Sequence, residues 1–160
     1  MKKLLFICLI TSSVFTSLNA QSTLIQSAEA YAQAIIDRDF SKAVSLTHLS
    51  IVSKGGGEEY IIKDFQRDRQ SLVDQGIEYV AFEIGEAGQY LESEGELQTI
   101  VPVLFKMMMD KKDVESPTNL LAVSEDKGQS WRFVDLSKFD AQSLSDFIEN
   151  ISPDLQIPGY

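Results

Sequence analysis

The stretch YAQAIIDRDFSKA, Tyr31 to Ala43, decides how this chain folds. Its first half completes an amphipathic helix over Thr23 to Arg38. Leu24, Ala28, Tyr31 and Ile35, with Ile25, Ala32 and Ile36 beside them, recur at helical spacing and form one wide apolar stripe. Thr23 and Gln26 have the spacing of a capping box at its start. In the second half, Asp39 is placed to cap a second short helix, in which Phe40, Ala43, Val44 and Thr47 share a face ahead of the β-branched run Ile51-Val52. Two apolar helical faces set this close together need a broad partner surface.

The rest of the chain supplies a sheet. Gly55-Gly56-Gly57 interrupts regular structure, and a third helix, Glu58 to Gln75, turns Ile61, Ile62, Phe65, Leu72 and Val73 inward. After Gly76 the period falls from helical to two. Ile77 to Ile84 reads as a strand, Gly85 to Gly88 as a turn, Gln89 to Glu92 as a short strand and Glu94-Gly95 as another turn. Leu97 to Met109 is the longest strand, and Pro102 within it, which cannot donate to a ladder, calls for a bulge or an edge. Val114 to Ser124, where Pro117 suggests another bulge, and Trp131 to Leu136 complete the sheet. A last helix, Ala141 to Ile151, presents Leu144, Phe147, Ile148 and Ile151, and the tail from Pro153 to Tyr160 is expected to run over the surface. The order predicts one α+β domain: N-terminal helices packed in a curved, mostly antiparallel sheet, with a short C-terminal helix.

The ends and the composition bound where such a domain works. MKKLLFICLITSSVFTSLNAQ has a basic start, an apolar run and a small residue at a cut site, the pattern of a secretory signal peptide (residues 1–20) cleaved after Ala20. The mature domain then spans 21–160, in the periplasm or outside the cell. Cys8, the one cysteine, lies inside the apolar run and leaves with it, so no disulfide, thiol nucleophile or thiolate metal site is expected. No later segment has the length to cross a bilayer. Loss of Lys2 and Lys3 leaves 12 basic against 24 acidic residues, a formal charge of −12. Such a field disfavours nucleic acid and anionic membrane surfaces as partners.

Helices followed by a curved sheet, opening with an amphipathic helix that ends in Asp37-Arg38-Asp39-Phe40 before a second short helix, resemble the nuclear transport factor 2-like superfamily, also called cystatin-like. The resemblance covers most of the mature chain and lies closest to exported bacterial members. It implies a sheet wrapped around the long helix with a cavity at the mouth of the cone. Members range from small-molecule isomerases and hydratases to protein-binding modules, so the fold leaves function to the site.

Several residues are candidates for that site. His48, the one histidine, could serve as a general base if Asp37, Asp39 or Glu83 lies near it, or could satisfy a carbonyl at a helix end. The steroid-isomerase branch of the superfamily combines a carboxylate base with a tyrosine in an apolar pocket; Tyr31, Tyr79 and Glu83 are the counterparts here, with Tyr31 and Tyr79 equally readable as core aromatics. Val101, Val103, Phe105, Met107 and Met109 alternate onto one strand face, where they could line an apolar ligand pocket, pair with a second copy, or fill the core. The scattered carboxylates, lone histidine and missing mature cysteine predict no metal site, and no cofactor motif is present.

Ser124 to Trp131, SEDKGQSW, resembles the Asp-box of sialidases and other β-propellers. Even a four-bladed propeller, at about 40–45 residues per blade, would exceed the mature length. Asp126, Gly128 and Trp131 are therefore expected to build a turn. The functional expectation is an exported, non-enzymatic module binding a small apolar ligand or a protein, with an isomerase, lyase or hydrolase using a carboxylate and a tyrosine as the alternative.

Overall fold

The structure, a computed structural model, describes the backbone of residues 8–139 and 141–158 and the side chains of 20–139 and 143–158. Helix α1 runs over Cys8–Asp37, longer than the sequence suggests. The expected signal segment lies almost wholly outside the described side chains. Thr23 is not a cap, because the helix continues through it. Leu24, Ala28, Tyr31 and Ala32 are buried along the expected stripe.

At Arg38 the backbone turns left-handed (φ 62°), and the Asp39 carboxylate accepts from the Lys42 N–H to start α2, Phe40–Ser45. The run around Ile51-Val52, which reads as β-branched, forms instead a six-residue helix, α3 (Leu49–Lys54), because His48 caps it and Val52 is buried beneath it. Helix α4 follows over Glu58–Asp74.

The strands are β1 (Ile77–Ile84), β2 (Leu91–Ser93), β3 (Glu96–Met109), β4 (Lys112–Ser124) and β5 (Arg132–Asp135), all antiparallel, in the order β1-β3-β4-β5 with β2 also on β3. Pro102 needs no bulge. It sits on β3 between the stretches paired with β1 and β2, where the Gly85 N–H donates to its carbonyl and a loop crosses in place of a strand. Pro117 likewise keeps continuous register with β3, on a part of β4 that β5 does not cover.

Two cores share this sheet. On the concave face, Val101, Val103, Phe105, Leu120, Ala122 and Phe133 pack against α1. On the convex face, Ile100, Leu121, Val123 and Val134 are covered by Leu144 and Ile148 of α5 (Ala141–Phe147) and its following turn. The tail does not merely cross the surface. Buried Gln98 donates to the Asn150 carbonyl (2.8 Å) and accepts from the Ser152 N–H (2.9 Å), and Leu155 and Ile157 then close over the second core.

Both faces of the sheet are therefore covered. Helix α4 meets this packing through Phe65. Its apolar residues Ile61, Ile62, Phe65, Leu72 and Val73 are only half-buried, and its single buried residue is Arg69.

Candidate functional site

The gap under α4 is a cavity of about 270 Å³ walled by Tyr31, Thr47, Ile51, Tyr60, Ile61, Phe65, Val134, Asp135, Lys138 and Phe147. A smaller hollow of about 80 Å³ shares its Tyr31, Phe65, Asp135 and Lys138 walls and extends toward Phe40, Arg69, Leu72, Tyr79 and Phe105. The local sequence explains the walls. Tyr31 is the aromatic residue on a stripe of alanine, leucine and isoleucine, and its ring leans on Phe133 with centroids 5.5 Å apart. Phe40 and Phe65 stack at 6.2 Å, and Tyr79 tilts onto Phe105 at 5.0 Å.

The polar groups at these walls are few. Asp135 accepts from the Thr118 hydroxyl (2.8 Å) and from the Ser137 N–H (3.0 Å), which anchors the short turn Leu136–Lys138. Lys138 donates to Asp68 (2.5 Å), lies 3.8 Å from Asp64 and covers the Phe65 ring at 5.0 Å. Burial pushes the Tyr31 phenol far above its ordinary range and the Asp135 charge adds to this, while a hydrogen bond with Thr47 opposes it; Tyr31 stays protonated. Tyr79 is raised chiefly by burial and then by Asp135, with Arg69 opposing. Arg69 lies 4.9 Å from the centre of the Tyr79 ring, and its Nε and Nη1 have no hydrogen-bond partner among the described residues.

Of the residues singled out in the sequence, Tyr31, Tyr79 and Phe105 meet at this cavity. Val101 and Val103 do not: they lie under α1, 0% and 2% exposed, beyond reach of a ligand or a second copy. Met107 is buried opposite Tyr79 on β1, and Met109 stands half-exposed at the β3–β4 turn. Glu83 is neither in the cavity nor at its rim. The β1–β3 register shifts between Tyr79 and Ala81, so Val80 bulges outward and parity reverses. Phe82 and Ile84 then turn toward the core with Tyr79, and Glu83 faces out, paired with Lys106.

His48 is elsewhere. Its N–H donates to the Phe133 carbonyl (2.9 Å), which pins the α2–α3 junction along β5. Its ring is at a helix start rather than a helix end, with Nδ1 accepting from the Ser50 N–H (3.2 Å). Nε2 is buried and unpartnered, and its ring shares one locus with Glu96 and Glu125, their potential ligand atoms all within 4.8 Å of one another. Three such groups could approach a cation, contrary to the sequence expectation. Against coordination, the cap bond requires an unprotonated Nδ1 and so places the neutral ring's proton on Nε2; a metal on Nε2 would displace that proton and the cap together. Desolvation lowers the His48 pKa, the two glutamates oppose this, and Arg132 reinforces it.

The Asp-box stretch is a turn, as its residues require. Asp126 Oδ1 accepts from the Gln129 N–H (2.9 Å), the Ser130 N–H (2.8 Å) and the Ser124 hydroxyl (2.8 Å), and Oδ2 accepts from the Ser130 hydroxyl (2.6 Å). These bonds hold its pKa down at about 2. Gly128 takes φ +87°, and buried Trp131 donates through Nε1 to the Thr23 hydroxyl (3.2 Å), tying the hairpin to α1.

No family model matches the chain, and no curated protein matches its sequence. Solved structures do resemble its fold. A protein from Catenulispora acidiphila overlays with a TM-score of 0.50 at 11% identity, over 73% of this chain and 91% of its own. A ketosteroid isomerase-like protein from Erwinia carotovora atroseptica SCRI1043 overlays at 0.42 with 16% identity, over 71% and 89% of the two chains. Among the described residues the architecture is five α-helices and a curved, unclosed five-stranded antiparallel sheet, an α+β fold consistent with a nuclear transport factor 2-like cone. At such identities the likeness is one of fold.

Proposed function

We propose that the chain is an exported module that binds a small, largely apolar molecule under α4 without transforming it. The observation that carries this reading is the cavity itself: aromatic rings from α1, α2, α4, β1 and β3 surround a space that the half-buried face of α4 does not fill. The acidic groups around it are already engaged. Asp135 Oδ1 anchors a turn and a threonine, Asp68 holds Lys138, and Tyr31 is held as a neutral hydrogen-bond donor. Such groups orient a ligand more readily than they move a proton.

One observation favours the second reading, a small-molecule isomerase or lyase. Tyr31 and Asp135 line the same apolar cavity and influence each other electrostatically, which supplies a tyrosine and a carboxylate, though with Asp135 in place of Glu83.

The test is native against denaturing mass spectrometry of the protein isolated from the cells that make it. A molecule present only in the native spectrum is the expected result and supplies the compound. Its turnover by the isolated protein, abolished in Asp135→Asn, would move the assignment to the enzyme. A bare chain, together with failure of small apolar compounds to bind, would overturn the pocket reading.

A further inference from the structure

We propose that the molecule held under α4 is an organic monoanion, an aromatic or medium-chain carboxylate whose head group sits on Arg69. This rests on the pocket reading above and names its ligand class. Arg69 is the one buried residue of α4, 7% exposed, on a helix whose apolar side chains are themselves only half-buried. A guanidinium that deep is expected to meet an anion, because each buried donor left unpaired loses its hydration without recompense. Here Nε and Nη1 find no acceptor among the described residues. Of the carboxylates lining the hollow, Asp68 is turned to Lys138 and Asp135 through Oδ1 to Thr118 and Ser137; Glu78 acts on Arg69 through its charge but makes no hydrogen bond to Nε or Nη1.

Arg69 covers the Tyr79 ring at 4.9 Å, with Phe40, Leu72 and Phe105 lining the same hollow, and Arg38 adds a second positive charge nearby. A cation with two free donors at one end of an aromatic-walled space fits a ligand that carries one carboxylate and an apolar body. The guanidinium offers charged N–H donors to the carboxylate, and the rings receive the rest. The formal charge of −10 on the whole chain does not exclude this. At physiological salt, fields decay over about 8 Å, so the few charges at the hollow decide the matter rather than the distant acidic surface.

The experiment is isothermal titration of the full chain with benzoate, phenylacetate and octanoate, each beside its neutral amide, repeated on Arg69→Met, which keeps an unbranched apolar stem without the charge. At least one acid is expected to bind about ten- to a hundredfold more tightly than its amide, and Arg69→Met is expected to remove that preference while keeping weak binding of the amide. Amides binding as tightly as acids, or an acid preference that survives Arg69→Met, would overturn the anion proposal and leave the apolar pocket standing. Failure of every acid and amide to bind would overturn it too, and the native mass spectrum then decides separately whether the pocket reading falls with it.

Discussion

Gly128→Ala separates two contributions that the hairpin at Ser124 to Trp131 combines. The first is conformational: Gly128 has φ +87°, and a side chain in left-handed backbone costs about 1–2 kcal/mol. The second is steric. A Cβ on Gly128 would stand 2.4 Å from the Ala20 Cβ and 3.0 Å from its Cα, closer than packed carbons come, and relieving such overpacking costs about 1–3 kcal/mol. In a chain begun at Leu18 both apply, for a total of about 2–5 kcal/mol. In a chain begun at Gln21, the product of the expected cut, Ala20 is gone and only the first remains. Urea unfolding followed by the fluorescence of the one tryptophan, buried Trp131, measures both. With a slope of about 2 kcal/mol per molar urea, the midpoint should fall by about 1–2.5 M in the longer chain and by less than about 1 M in the shorter. Equal losses in the two chains would show that Ala20 does not pack on the hairpin in solution. No loss in either would refute the left-handed turn itself.

Three further outcomes follow from the same geometry. Because burial depresses the His48 pKa in the fold, the unfolded chain takes up the proton first. The stability His48 contributes is whole above its ordinary 6.5 and is lost as pH falls below that; His48→Asn, which keeps a good cap, should flatten the pH dependence of the thermal midpoint below pH 6.5, and an unchanged slope would count against a buried neutral imidazole. Asp126→Ala should lower stability by about 1–3 kcal/mol, since it deletes a charged acceptor of four hydrogen bonds, and wild-type stability should likewise decline as pH drops from about 3.8 towards about 2. Thr23→Val should cost about 1–3 kcal/mol and alter the tryptophan emission, because it leaves the buried Trp131 Nε1 without its acceptor; emission identical to wild type would place the indole elsewhere.

The elements were legible wherever local chemistry and burial agree. The stripe of α1, the Asp39 cap and the change to period two at Ile77 each have one physical outcome. Legibility fails where tertiary contacts override local preference. Leu49–Lys54 became a helix because His48 caps it and the strand-like register of Thr47 to His48 against Phe133 fixes its start, and nothing within Ile51-Val52 announces that. Strand faces fail in the same way. One bulged residue at Val80 inverts every later side chain of β1, so Glu83, which counting by twos sets beside Tyr79, belongs to the opposite surface.

The site was legible in part, and its missing member left a signal. Tyr31, Tyr79 and Phe105 are aromatic residues on inward faces, and their convergence follows from the fold. Asp135 and Lys138 lie at the end of a strand and in a short turn, where sequence position says little about which cavity they approach. Arg69 is different. It stands four residues after Phe65 and three before Leu72, so helical periodicity puts it on the apolar stripe of α4, where a charged residue is out of place. A cation written into an apolar stripe either reaches past it to water or is held by something; Arg69 is 7% exposed, and its Nε and Nη1 are buried without a partner among the described residues. The stem of an arginine packs as well as methionine does, so packing alone would not require the guanidinium. Its unpartnered donors point to a group outside this chain's described residues, and the paired acid and amide titrations ask for that group directly.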